Sequence, residues 1–208
     1  MTTSGDVLFS LNETLETIRN RRSVRTFSDR DVSEEQIEIL LRAANDAPSA
    51  HNQQPWRFIV LKDGKRQELA QLVTARSSEF PRPASALLRM AARSILSAPV
   101  IIAVANTGEL IEHGTQLFKV EKEMAYDFFR TMEIQSSAAA VENLLLAATS
   151  IGLATVWLGI LFLIKDEVRE LLGEAKGEFM AVIPVGYGSH PGKSPQKQPL
   201  EMRVRYLG

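Results

Sequence analysis

Two periods of hydrophobic and polar positions alternate along this chain, and the switches between them mark its elements. Leu11, Leu15 and Ile18 recur at helical spacing around Asn12, a residue type that caps helices. Ser33-Glu34-Glu35-Gln36 is a capping box, and Ile37, Leu40, Leu41 and Ala44 form the inward stripe of the helix it opens. Asp46 and Pro48 end that helix, because a proline disfavours helical backbone in the residue before it. Residues 56–61 are a compact β-type run, and Lys62-Asp63-Gly64-Lys65 is expected to turn. A helix follows with Leu69, Leu72 and Val73 facing inward. Pro81 and Pro83 separate it from another, marked by Leu87, Leu88, Ala91 and Ile95 and ended by Pro99.

Residues 100–105 are apolar throughout, the pattern of a strand covered on both faces. Residues 106–132 mix both charge signs with aromatic side chains; a helix is expected over 119–130. This stretch reads as a peripheral helical insertion or as a lid over a site. The most apolar helix spans 136–151, with Gly152 suited to the left-handed position after its end. Strands are expected over 154–159 and 179–185, with Pro184 at an edge or bulge, and a helix over 165–172 ahead of Gly173. The tail from Gly186 is rich in Gly, Pro, Ser and Lys and ends in residues 203–207, which alternate like a strand. It is too poor in core residues to fold alone, so an arm lying across another subunit is expected. Helices and strands together imply one domain of α+β or α/β class over residues 1–208.

Composition changes this picture mainly by exclusion. The chain has 208 residues and a formal net charge of -1, which gives no global case for nucleic acid or an acidic membrane surface. It has no cysteine, which removes disulfides, thiolate nucleophiles and iron–sulfur ligation. His51, His113 and His190 are too scattered for a metal set. The leader over 1–10 lacks the basic and apolar regions of a signal peptide, and no uncharged apolar run is long enough to cross a membrane, so a cytoplasmic location is expected.

Against that neutral background, Arg19, Arg21, Arg22 and Arg25 stand within seven residues, with Ser23 among them. Guanidinium forks match phosphate oxygens two at a time, and a hydroxyl adds a further bond. The plainer alternative is a solvated helix end, where cations are favoured by roughly 0.3–1 kcal/mol. The second concentrated stretch is Ala47-Pro48-Ser49-Ala50-His51-Asn52-Gln53-Gln54-Pro55-Trp56, rich in amides and turn formers.

These stretches, with Glu142-Asn143-Leu144-Leu145-Leu146-Ala147-Ala148, Gly152-Leu153-Ala154-Thr155-Val156-Trp157-Leu158-Gly159 and Pro184-Val185-Gly186-Tyr187, resemble the FMN-dependent nitroreductase superfamily. The match runs in order over about residues 12–202. It implies an α+β fold with a central, mainly antiparallel sheet wrapped by helices, in place of the parallel sheet that alternation alone suggests. It also implies an intertwined homodimer with FMN at the subunit interface and NAD(P)H as reductant.

The resemblance carries roles residue by residue. Arg21, Arg22 and Ser23 match the contacts to the phosphate and ribityl chain. Arg25 matches the cation at the pyrimidine edge, where it would stabilise the negative charge of reduced flavin. Pro48, Ser49 and Asn52 match a loop that reaches the flavin of the opposite subunit, although Pro48 also suffices as a helix stop. Trp157, Leu158 and Gly159 match the segment near flavin N5; Trp157 reads equally well as a core aromatic, and the amide of Gly159 or Ile160 suits the N5 bond because a small residue allows close approach. Lys197 matches the C-terminal phosphate contact, with Lys193 its competitor. No catalytic acid, base or nucleophile is required, since the cofactor carries the chemistry. No G-x-G-x-x-G opens a helix after a strand, so NAD(P)H and the acceptor would use one slot in turn, a ping-pong scheme. The family also holds iodotyrosine dehalogenases and an oxygen-dependent flavin-fragmenting enzyme. The dehalogenase type uses a Glu, Tyr and Lys set, of which residues 76–98 hold only Glu79. A flavin-binding protein with little turnover is the remaining alternative.

Overall fold

The computed structural model describes residues 12–174, 177–190, 192 and 194–208, so the leader and Lys193 lie outside the described residues. The chain opens with α1 (Glu13–Asn20), where the Asn12 side chain accepts from the Leu15 amide as its capping position requires. Helix α2 (Glu34–Asn45) begins in a complete capping box: Ser33 accepts from the Gln36 amide and the Gln36 side chain accepts from the Ser33 amide. Such a cap contributes about 1 kcal/mol. A 3-10 turn (Ala50–Asn52) leads to β1 (Trp56–Leu61), α3 (Asp63–Ser77), α4 (Ala84–Ser97) and β2 (Val100–Asn106). Then come α5 (Glu109–Leu117), α6 (Lys122–Ser150), β3 (Ala154–Thr155), a 3-10 segment (Gly159–Ile164), α7 (Lys165–Leu172) and β4 (Glu178–Gly186).

The four strands form one sheet in the order β1-β2-β4-β3, with every neighbouring pair antiparallel. This is the α+β arrangement implied by the resemblance, and it replaces the parallel sheet. Strand β2 is buried along its whole length, because helices cover both faces. Ile101 and Ala103 pack with α3, α4 and α7 through Leu69, Leu88 and Val168. Val100, Ile102 and Val104 pack the other way, with α2 and α6 through Leu40 and Leu144. In β4, Ala181, Ile183 and Val185 follow the second face, yet Phe179 joins the first. The register shift between Val104 and Ala105 explains the switch, since one extra residue in a strand turns all that follow to the opposite side.

Several local expectations change. Residues 62–65 do not form a separate turn: Lys62 is the cap of α3, which starts at Asp63. The helices expected over 119–130 and 136–151 are one 29-residue helix, α6, which starts at Lys122 and ends at Ser150. No glycine or proline interrupts it, and Ser136, at the expected break, turns its hydroxyl back onto the Met132 carbonyl. The strand expected over 154–159 is two residues long, and the chain coils into the 3-10 segment at Gly159. Pro184 pairs with Ile101 in an inner strand and lies away from the bulge. The Val182 carbonyl accepts from Leu158, so Pro184, two residues on, turns its missing N–H to the same side, where β3 has already ended. Residues 203–207 form no strand with the described residues; the tail makes a 3-10 turn (Leu200–Met202) and leaves Leu200, Met202, Tyr206 and Leu207 exposed. Helix α1 likewise buries none of its residues.

Candidate functional site

The arginine stretch is held against the sheet by its backbone. Ser23 bridges Thr155 in parallel, and the Val24 amide donates to the Thr155 carbonyl at 2.9 Å. Phe27 bridges Gly188, the Ser28 amide donates to Tyr187 and the Ser189 amide donates to Thr26. Residues 23–28 thus run as an irregular extra edge beside β3 and the end of β4. Tyr187 fixes this edge further: its hydroxyl accepts from Gln36 Nε2 at 2.9 Å, and the Arg30 guanidinium lies 3.7 Å over its ring.

This packing puts Arg22 in the wall of one cavity. The cavity, of 320 Å³, is lined by Arg22, Val24, Thr149, Ala154, Ser189 and His190, among others. Arg22 Nη1 donates to the carbonyls of Arg19 at 2.5 Å and Arg21 at 2.8 Å, and Nη2 donates to Ser194 Oγ at 3.0 Å. These acceptors are neutral, and the five N–H groups of a guanidinium leave donors for an anion. Arg21 Nε stands 3.9 Å from Glu142, a loose contact. Arg25 is exposed and has no ion pair among the described residues. Gly192 lies so close that a Cβ there would sit 2.6 Å from the Arg22 Cβ. Lys197 is exposed, three residues beyond Ser194, and so within about 10 Å of it along the chain. Arg22, with the hydroxyls of Thr149 and Ser189 in the same lining, is a donor set that suits a phosphate, and Gly192 packs directly on the Arg22 side chain. Trp157, Leu158 and Gly159 follow Thr155 directly in the chain and are not in the lining of this cavity. Leu158 is buried, while Trp157 is half-buried and packs with the α2–α6 core. Gly159 is exposed with nothing near its Cα face. It opens a 3-10 helix, whose first amides lack intrahelical acceptors.

The second stretch lies elsewhere. Pro48 and Asn52 are exposed, and Ser49 Oγ accepts from the Gln54 amide at 3.0 Å. The Ala50 amide donates to Ser136 on α6 at 3.1 Å. His51, Asn52 and Gln54 all have positive φ, a conformation that costs non-glycine residues of order 1 kcal/mol or more each. Ser136 and the cavity-lining Thr149 are thirteen residues apart on α6, about 20 Å along its axis. One chain thus pairs Ser23 and Val24 with Thr155, two residues before Trp157, and leaves the Ala50 turn about 20 Å away along α6. Trp56 is buried, with its Nε1 donating to Asn45 at 3.1 Å. Thr155, Ser189 and Ser194 were not singled out by the sequence. Thr155 sits in an apolar run, and the two serines sit in a tail whose path the sequence does not give.

Helices on both faces of an antiparallel sheet, with Arg22 bonded to neutral oxygens at one sheet end, define a class: α+β proteins suited to a phosphorylated ligand. The comparisons narrow it. The model of the Nitroreductase family matches residues 18–187, and the chain belongs to that family. It is 32% identical over 182 residues, 85% of this chain and 86% of the other, to a protein of Archaeoglobus fulgidus provisionally named NADH dehydrogenase/NAD(P)H nitroreductase. It is 30% identical over 200 residues to iodotyrosine deiodinase 1 of Mus musculus, covering 88% of this chain and 65% of that one. A crystal structure of a provisionally named nitroreductase from Desulfovibrio desulfuricans, in complex with FMN, superposes with a TM-score of 0.68 at 28% identity. That match covers 95% of this chain and 98% of the other. No described helix is long and apolar enough to cross a membrane.

Proposed function

We propose that this chain is an FMN-dependent oxidoreductase that carries hydride from NAD(P)H to a nitroaromatic, quinone or similar acceptor, and that it works as a homodimer. The observation that supports this reading is the Ser23–Thr155 bridge, which pairs the arginine stretch with the strand that runs on to residues 157–159. When bound, FMN supplies reversible two-electron chemistry. The protein residues bind and bias it. Arg21, Arg22, Ser23 and Lys197 hold the phosphate and the adjoining chain. Arg25 adds positive charge beside the pyrimidine edge, and the first amides of the 3-10 helix at Gly159 face the ring.

The 20 Å separation along α6 is why a second copy is needed. Pro48, Ser49 and Asn52 serve the site of the partner subunit, and the strained loop that carries them is held ready by Ser49 and Ser136. The uncovered stripe of α1 and the exposed apolar residues of the tail are the surfaces that the second copy covers. Residues 106–132, which form α5 and the start of α6 and pack beside Ala50, would cover the acceptor slot of the partner subunit's site together with that loop. Among the cations available to a second nucleotide phosphate, Arg76 is committed: it bonds Glu79 at 2.7 Å and stands 3.1 Å from Glu167. The same bond occupies Glu79, which weighs against dehalogenation.

The test is direct. The purified protein should be yellow with bound FMN, bleach with NADH or NADPH under nitrogen and recover its colour with a quinone, with parallel double-reciprocal lines in steady state. A protein that neither retains nor takes up FMN overturns the reading. Reduction without turnover across several acceptors would leave a flavin-binding protein.

A further inference from the structure

A second cavity, of 430 Å³, lies at the opposite end of β4, about 26 Å along the strand from the arginine wall. Its size is that of a small-molecule site. Three carboxylates, Glu112, Glu133 and Glu178, and three cations, Arg130, Lys165 and Arg169, line it. Their partners are unevenly distributed. Arg130 is spent on Glu178 through two parallel bonds, Nε to Oε2 at 2.9 Å and Nη2 to Oε1 at 2.5 Å. Arg169 donates to the Gly177 carbonyl at 2.7 Å and stands 3.8 Å from Asp166.

Glu133 differs. It is 1% exposed, and its oxygens accept from the Gly108 amide at 3.3 Å and the Leu110 amide at 3.0 Å, with no cation within ion-pair distance among the described residues. Glu112 has no side-chain bond or ion pair among the described residues. The Lys165 ammonium faces only the Phe162 ring, 4.5 Å from its centroid. Among the described residues the cavity thus offers two carboxylates without a cation and one ammonium without a carboxylate, and the charges of its lining sum to zero. Of these, Glu133 is buried without a cation, and a ligand that supplies one is favoured, whereas Glu112 is exposed and Lys165 is half-buried. A purely anionic or cationic ligand would satisfy one side and leave the lining charged. A ligand bearing both signs and no net charge satisfies both.

We propose that this cavity binds a free α-amino acid in its zwitterionic form. The ligand ammonium lies toward Glu133 and Glu112, and its carboxylate toward Lys165. The apolar wall at Ile111 and the ring of Tyr126 are left for its side chain. The residues come from α5, α6, α7 and β4, and none belongs to the wall assigned to FMN.

Calorimetric titration of the full chain with each proteinogenic L-amino acid tests this. At least one should bind at millimolar concentration or below. Its N-acetyl and amide derivatives, which lack one charge each, should bind at least about tenfold more weakly, as expected for a lost charged hydrogen bond. Lys165→Met should weaken binding by a similar factor and Lys165→Arg should retain it, with thermal unfolding of both variants confirming the fold. Three results overturn the proposal: no amino acid binds, a capped derivative binds as well as its parent, or Lys165→Met binds unchanged. Flavin absorbance of the same samples reports the FMN assignment separately, so either reading can fail alone.

Discussion

The two ends of β4 treat charge in opposite ways. At the Glu178 end, Arg130 is matched to Glu178, Arg169 leans toward Asp166, and the buried Glu133 is bonded by backbone amides. At the Gly186 end, Arg22 donates to neutral oxygens, Arg21 is 3.9 Å from the nearest carboxylate, and Arg25 has no ion pair among the described residues. One end is built into the stability of the fold. The other keeps a positive potential that only an incoming anion can satisfy. Damage at the first end should therefore cost stability, and damage at the second should cost ligand.

The largest effect is expected at the first end, from Gly177→Ala. Gly177 has φ 87, and a Cβ there would lie 1.8 Å from the Asn106 carbonyl oxygen, so both the conformation and the space forbid it. Denaturant unfolding should show a loss of about 3 kcal/mol or more. A smaller loss would mean that this end yields more easily than its packing indicates.

At the second end, Arg22→Ala should weaken FMN binding by about 2 kcal/mol, roughly thirtyfold, in a fluorescence titration of the apoprotein. Stability without ligand should change by less than about 1 kcal/mol, because the lost acceptors are exposed oxygens that water can satisfy. Arg22→Lys should not restore affinity, since an ammonium cannot reproduce the fork. Equal losses of stability and affinity would erase the contrast between the ends. Between these cases lies Glu178→Gln, which leaves Arg130 half-buried without its carboxylate. Its expected cost is about 1–2 kcal/mol in thermal or chemical unfolding, with FMN affinity unchanged.

The same contrast separates what the sequence discloses from what it hides. The arginine end was legible because its information is local: Arg21, Arg22, Ser23 and Arg25 lie within five residues and match a family pattern. Caps were legible for the same reason, as at Asn12, Ser33 and Gly173. The charged cavity was not. Glu112, Glu133, Lys165 and Glu178 are scattered over four elements, and only the antiparallel pairing of β2 with β4 brings the loops beside them together. Strand ends were hidden too. Nothing in Ala154-Thr155-Val156-Trp157 says that pairing stops at Thr155, because that depends on where β4 and its proline lie. The break expected between 130 and 136 failed because Ser136 satisfies itself within the helix, a choice made by packing against Ala50 and not by propensity.

The smallest effect concerns Glu133 and turns on its sign. Burial is the main cause that lifts its carboxyl above the usual 4.5, and the nearby Glu178 charge adds to it, while the amides of Leu110, Ile111 and Gly108 pull the other way. The groups facing it across the cavity are Glu112, Glu178, Arg130, Arg169, Lys165 and Tyr126. A carboxyl whose folded value is raised holds its proton more tightly in the folded state than in the unfolded state. Its contribution to stability is therefore fully present below the unfolded value and is lost as pH rises through the folded one. Other carboxylates titrate in the same range, so the informative quantity is the stability of the wild type minus that of Glu133→Gln. That difference should grow in favour of the wild type as pH falls through the folded value, and it should level off below the unfolded one. Guanidinium unfolding at a series of pH values measures it. A difference that instead shrinks on acidification would mean that the amide bonds at the start of α5 outweigh burial, making Glu133 a charged cap and not a buried acid. In that case Glu133 would carry its charge over a wider pH range, as the proposed partner of an amino-acid ammonium requires.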